Sequence, residues 1–290
     1  SAAVTALLAD QTRDAVRTKA MAMVGASIGL MFAVSLVLSP LLNAALGLGG
    51  MFALTAALAV AGIAVVLWWV PPEPTKHVEE LPASLGASLG GVLRQPALAR
   101  LYFGVFMLHA VQLAMWVALP AMLVQAGLSK DHHWWVYLPA VLGSFVVMGA
   151  TLFPLEKRGY LRAVFLSSVG LIALVQIGLL ATASGVPTIN GLALLLFVFF
   201  CGFNVLEASQ PSMASRVAPG HSRGAALGVY NSLQSLGFFT GGALGGWLVK
   251  GFGPQVLFGV CALAMLAWLV VAWPMQAPRA HAVPSLPKAG

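Results

Sequence analysis

Charge is what this chain has least of. Only 8% of its 290 residues are Asp, Glu, Lys or Arg, and just eight are acidic. Soluble globular domains carry roughly 25% charged residues, so a water-soluble fold is excluded. Cysteine is nearly as scarce. Cys201 and Cys261 both fall inside apolar runs, which makes them small hydrophobic fillers rather than a disulfide or a metal site. No metal-binding spacing, nucleotide-cradling loop or nucleophile triad occurs in the sequence. Neither a cofactor nor a catalytic residue is therefore expected. The formal charge of +7 would suit nucleic acid if it were clustered. The basic residues sit singly or in threes between apolar runs instead, as they do in the loops of membrane proteins. Nucleic acid is not an expected partner; the lipid bilayer is.

Apolar sequence fills the space that charge leaves. Hydrophobic residues make up 60% of the chain and the mean hydropathy is +0.92. Runs long enough to cross about 30 Å of hydrocarbon, about 20 residues each, predict an all-α polytopic membrane protein. Eight complete helices are expected near 20–43, 49–71, 99–126, 134–153, 161–183, 189–215, 223–249 and 253–274. The stretch Ser1–Ala9 reads as the end of a further helix. Because the chain opens on Ser1 without a signal-peptide n-region, this is not expected to be a natural start.

The fifteen Lys and Arg residues give the orientation. Only Lys130 and Lys250 fall on one side of the eight predicted crossings; the other thirteen share the opposite side. The positive-inside rule makes the basic side cytoplasmic and places the C-terminus there too. One connection breaks the rhythm: Pro71 through Arg94 is polar and proline-rich. It reads as a central cytoplasmic linker with a short amphipathic helix near Leu81–Leu93.

An internal repeat supports a transporter reading. Arg17-Thr-Lys-Ala-Met21 and Arg223-Gly-Ala-Ala-Leu227 stand 206 positions apart, each after a basic loop and before a glycine-rich apolar span. Duplicated sets of membrane spans are how many secondary transporters are built, with the substrate path between the halves.

These residues carry a resemblance to the major facilitator superfamily. Asp10-Gln-Thr-Arg13 with Arg17–Met21 resembles the loop between helices four and five of that fold. Leu36-Val-Leu-Ser-Pro40 resembles its helix-five antiporter motif, with Ser39 where glycine is usual. Arg17–Ala22, Val117–Pro120, Phe203–Ala208 and Gly228–Tyr230 are similar to the YajR-like branch. The resemblance implies a twelve-helix proton-driven antiporter of drug-efflux type in a bacterial-type inner membrane, monomeric as a full-length chain. Its implied partners are a small-molecule substrate and protons. Residues 1–71 then become the end of an N-terminal six-helix half (the tail of helix four, helices five and six) and 72–98 the central linker. Residues 99–275 become the C-terminal half with helices seven to twelve, and 276–290 a disordered cytoplasmic tail. About three and a half helices are expected to be missing from the front. The rival reading is a transporter-derived sensor or a membrane-embedded enzyme.

Glu207 is the only acid deep inside an apolar span. A carboxyl there is costly and is a functional hypothesis by default. Asn204 and Gln210 lie three residues to either side on the same helix face. Glu207 is a candidate proton-exchanging group, with a structural glutamate bonded to a neighbouring helix end as the alternative. His109, with Gln112 and Trp116 on one stripe, is a second proton-coupling candidate, or else a satisfied core histidine. Tyr230, Asn231 and Gln234 form another polar patch that could line a cavity wall together with Asn204. Asp10, Arg17, Glu156, Arg158, Arg162 and Arg223 are candidate gating or loop contacts, with Asp10 otherwise an interfacial acid satisfied by Arg13 or Arg17; the turn around Glu156 either meets the helix beginning at Arg223 or is a solvated loop of the basic side. Gly237, Gly241 and Gly245, with Gly242 and Gly246, are small-xxx-small spacings that read as helix packing.

Overall fold

The computed structural model describes residues 2–12, 14–70 and 85–276. Every regular element among them is helical: α1 (Ala2–Gln11), α2 (Asp14–Trp69), α3 (Leu85–Arg94), α4 (Pro96–Gln125), α5 (Trp134–Lys157), α6 (Leu161–Ala183), α7 (Ile189–Val217) and α8 (Arg223–Ala272). Single turns of 3₁₀ helix at Lys130–His132 and Gly220–Ser222 lead into α5 and α8.

α2, with 56 residues, and α8, with 50, are too long to cross a bilayer once. At about 1.5 Å per residue each exceeds twice the hydrocarbon thickness. Each is two helices meeting at a glycine. Gly47 has φ 64° and ψ 179°, and Gly253 has φ 86° and ψ 170°, a backbone region open to glycine alone without strain. Pro254 follows directly and opens the next helix where its missing N–H costs nothing. The first break falls between the predicted spans 20–43 and 49–71, and the second at the first residue of the predicted span 253–274. α6 matches its predicted range, whereas α5 runs on to Lys157, past the predicted end at 153. α3 is the short helix expected near Leu81–Leu93. The remainder of the linker, residues 71–84, and the tail 277–290 lie outside the described residues.

Helix ends from the basic side form one hydrogen-bonded layer. Gln95 Nε2 donates to the Val217 carbonyl (3.4 Å), Arg223 Nε to that of Ser215 (3.0 Å), and Arg162 Nε to that of Met275 (2.7 Å). At the opposite end, Gln255 Nε2 donates to the Ala183 carbonyl (2.7 Å). Arg162 and Arg223, two of the thirteen basic residues expected on this side, supply bonds of that layer.

α4 and α8 pack most closely. A Cβ on Gly237 would come within 2.6 Å of the Phe106 carbonyl oxygen, and one on Gly245 within 2.9 Å of Ala114 Cα; one on Gly241 would overlap the backbone of Ala110. The helices touch backbone to backbone because nothing larger than hydrogen stands between them. Trp268 of α8 is fully buried against Gly104 of α4 and meets Phe165 of α6 edge-on at 6.0 Å. Outward surfaces are apolar: Val146, Phe239 and Val270 are each more than 70% exposed, as are Trp68 and Trp69 on the second crossing of α2. Such a surface is an aggregation liability in water and suits hydrocarbon.

Candidate functional site

Two polar clusters interrupt the apolar interior. The first lies near mid-membrane and joins three helices. His109 of α4 sits about 20 Å in from Pro96, Glu207 of α7 about 15 Å from Val217, and Gln234 of α8 about 16 Å from Arg223, at about 1.5 Å per residue. All three therefore reach one depth from the basic rim. His109 is buried, and Glu207 retains 23% side-chain exposure. Gly25 of α2 faces the pair: a Cβ there would be 3.8 Å from Glu207 Cγ.

The hydrogen bonding of this cluster is decided by counting protons. His109 Nδ1 lies 2.8 Å from the Val105 carbonyl, an acceptor only, so Nδ1 carries a hydrogen and donates. In a neutral imidazole Nε2 is then an acceptor. Gln234 Nε2 has two hydrogens; one reaches His109 Nε2 at 2.8 Å and the other Glu207 Oε1 at 3.3 Å. That leaves Glu207 Oε2 facing His109 Nε2 at 3.2 Å, two acceptors with no hydrogen between them. A proton placed on Oε2 or Nε2 closes the gap, and on Nε2 it turns Gln234 to present its oxygen. Phe203 and Phe238 pack edge-on against the imidazole, with ring centroids at 5.9 and 4.7 Å.

The second cluster lies at the basic rim, where α2 meets α5 and α7. Thr18 Oγ1 donates to Glu156 Oε1 (2.7 Å) and faces Ser212 Oγ (2.8 Å) and Arg216 Nη2 (2.8 Å). A hydroxyl has one donor and two acceptor positions. Having given its hydrogen to Glu156, Thr18 accepts from both Ser212 and Arg216 and is saturated. Arg216 Nη2 also pairs with Glu156 Oε1 at 2.8 Å, both side chains being more than four-fifths buried. The two readings of the Glu156 turn were contact with the helix beginning at Arg223 and a solvated loop. The structure shows neither: Glu156 pairs with Thr18 and Arg216, whose side chains reach it from the ends of α2 and α7, while Arg223 Nε donates to the Ser215 carbonyl.

The other sequence candidates are dispersed. Asn204 Nδ2 donates to Ser144 Oγ on α5 (2.7 Å) and Asn231 Nδ2 to the Leu227 carbonyl of its own helix (2.7 Å). Gln112 is half-buried, Trp116 packs edge-on against Tyr137 at 4.8 Å, and Tyr230 is buried. Arg17 is buried and donates to the Thr12 carbonyl (3.1 Å); Arg158 is exposed. Arg162 holds the end of α8 through Met275 and Trp273. The Asp10 side chain lies outside the described residues. Thr18, Ser212 and Ser144 were not anticipated. Ser212 and Arg216 are four apart on one face of α7, which was the available signal.

The sequence model of the Major Facilitator Superfamily matches residues 1–203 and again 154–289. The chain belongs to the Major Facilitator Superfamily. It is 38% identical over 279 residues to the inner membrane transport protein YajR of Escherichia coli, covering 96% of this chain and 61% of that protein. An uncharacterized transporter of Buchnera aphidicola subsp. Acyrthosiphon pisum is 29% identical over 81% of this chain and 60% of its own length. Multidrug resistance protein Stp of Mycobacterium tuberculosis is 30% identical over 54% of this chain and 28% of its own. The chain thus spans about three-fifths of the first two of these relatives. Major Facilitator Superfamily proteins are membrane transporters rather than enzymes, in agreement with the helices and outward apolar surface.

Proposed function

We propose that this chain carries the proton site of a secondary active transporter that exports small amphiphilic molecules by alternating access, in exchange for protons. The observation that carries the reading is the 3.2 Å approach of Glu207 Oε2 to His109 Nε2 in the apolar interior, with Gln234 bonded to both side chains. An acid and an imidazole in contact inside an apolar bundle, bridged by an amide, suit coupling to a proton gradient. The drug-like substrate class draws on Stp, named as a multidrug resistance protein. The proposed domain division stays as the sequence suggests, with the seam between α2 and the α5–α7 pair separating the two halves.

Gradient-driven efflux from cells is the test, with dye extrusion as readout. Glu207→Gln is expected to abolish proton-driven extrusion while folded protein remains in the membrane, because the amide cannot release a proton. His109→Ala is expected to give the same loss. Unchanged extrusion in both variants would return the cluster to a structural role.

Orientation has its own test. With Cys201 and Cys261 replaced, a cysteine at Ser129 is expected to react with an impermeant thiol reagent in intact cells, and one at Ser84 only after permeabilisation. Equal reaction at both positions would overturn the cytoplasmic placement of the basic rim.

A further inference from the structure

A partly open cavity of about 190 Å³ lies at the basic rim between the first turns of α4, the end of α7 and the segment following α8. Its lining includes Arg100, Leu101, Met213, Val217, Met275 and Gln276. A single water needs only about 15 Å³ of such space, so this is no isolated water void. We infer that it is a binding site for the headgroup of an anionic phospholipid.

Three observations converge. Arg100 makes no hydrogen bond or ion pair among the described residues, although it lines a cavity at the level where helix ends meet the membrane surface. An arginine held there presents a planar set of donors matched to a phosphate. The rest of the lining is mostly apolar, with the Gln276 amide as a second polar contact. Leu101, Met213, Val217 and Met275 offer a surface for the glycerol and first methylenes of a lipid, which a free phosphate would leave unused. Both walls are also held in place from behind. Arg162 donates to the carbonyls of Met275 (2.7 Å) and Trp273 (2.5 Å), and Gln95 holds the Val217 carbonyl at 3.4 Å. The cavity is thus preformed rather than a gap between loose ends.

The chain's own acids are the competing occupant. Residues 277–290 include Arg279 and Lys288 and no Asp or Glu, whereas the linker has Glu73, Glu79 and Glu80. Lipid is favoured because basic pockets between membrane helices near the surface collect anionic headgroups. The inference requires only that the helices span a bilayer. It does not depend on the proton site or on the direction of transport.

Native mass spectrometry of the full chain, released from detergent with added lipid, reads the site directly. Phosphatidylglycerol is expected to remain bound and phosphatidylcholine not to. Arg100→Ala is expected to weaken phosphatidylglycerol retention about fivefold, the effect of one cation near an anionic headgroup. Met213→Trp, which fills the cavity while keeping the arginine, is expected to weaken it as well. Arg158→Ala, a basic-rim cation outside the cavity, should leave retention unchanged. Retention that survives Arg100→Ala overturns the site, and so does an equal loss with Arg158→Ala. Displacement of the lipid by millimolar inorganic phosphate would show a soluble-anion site instead. Stronger retention when Glu73, Glu79 and Glu80 are all changed to Gln would show that the linker, not lipid, fills the cavity in the native chain.

Discussion

Replacing Gly241 with leucine is expected to abolish accumulation of folded protein. A Cβ at this position overlaps the main chain of Ala110, whose carbonyl oxygen, carbonyl carbon and Cα all crowd it. Backbone cannot rotate aside as a side-chain tip can, so α4 and α8 must separate along their whole contact. Overpacking a well-filled core costs about 1–3 kcal/mol even where side chains yield. Here the backbone contact removes that relief, and the loss extends to the neighbouring approaches at Gly237 and Gly245. Alanine at the same position is expected to lower the thermal midpoint without eliminating the folded form. Gly246, one residue beyond Gly245, provides the control: nothing lies within 4 Å of a Cβ there, so Gly246→Leu should behave as wild type. Size-exclusion profiles of fluorescently tagged variants in detergent make the comparison. A monodisperse, wild-type-like Gly241→Leu peak would show that the α4–α8 contact is looser than the structure has it.

The glycine spacing behind that result was readable in sequence because packing of this kind is local and periodic. The same holds for the crossings. Each apolar run is long enough to declare itself; Gly47 falls in the short gap between two runs and Gly253 at the start of the last one, where a helix must break and turn back. The mid-membrane cluster was only half legible. His109 and Glu207 each stood out as ionisable residues in apolar runs, but their pairing, across 98 positions of chain, depends on how α4, α7 and α8 rotate about their axes. Helix-face arithmetic placed Asn204 and Gln210 with Glu207; in the structure Asn204 turns to Ser144 on α5, while Gln210 is fully buried with neither amide atom bonded among the described residues. Identical spacing on one helix does not decide which neighbour each side chain meets. Thr18 was invisible for a related reason. A threonine beside Arg17 and Lys19 in a basic loop looks incidental until α5 and α7 bring Glu156 and Arg216 to it.

That rim cluster carries the second large effect. Thr18→Val keeps the shape of the side chain and removes its only polar atom, so Glu156, Ser212 and Arg216 lose a partner at one stroke. Each buried group left without its hydrogen bond costs about 1–3 kcal/mol, and Ser212 is fully buried. Arg216→Met alone is expected to be at least as damaging. It strands Glu156, only 17% exposed, and breaking a buried pair from one side costs about 3–5 kcal/mol. Removing the acid as well should relieve that penalty, so Glu156→Leu with Arg216→Met is expected to recover much of the lost stability. The two single changes and the double change form a cycle, read as unfolding midpoints in detergent. Additive losses in the double variant would show that Glu156 and Arg216 do not depend on each other. The cluster also ties α2 to α5 and α7 at one end of the seam proposed to separate the halves. Thr18→Val should therefore raise the reactivity of a cysteine placed at Ser212 toward a small soluble thiol reagent, in a background without Cys201 and Cys261. Valine removes the bonds that hold this end shut while leaving the helices themselves intact. If that cysteine stayed as protected as in the threonine protein, the cluster would be holding the helix ends together without closing the seam.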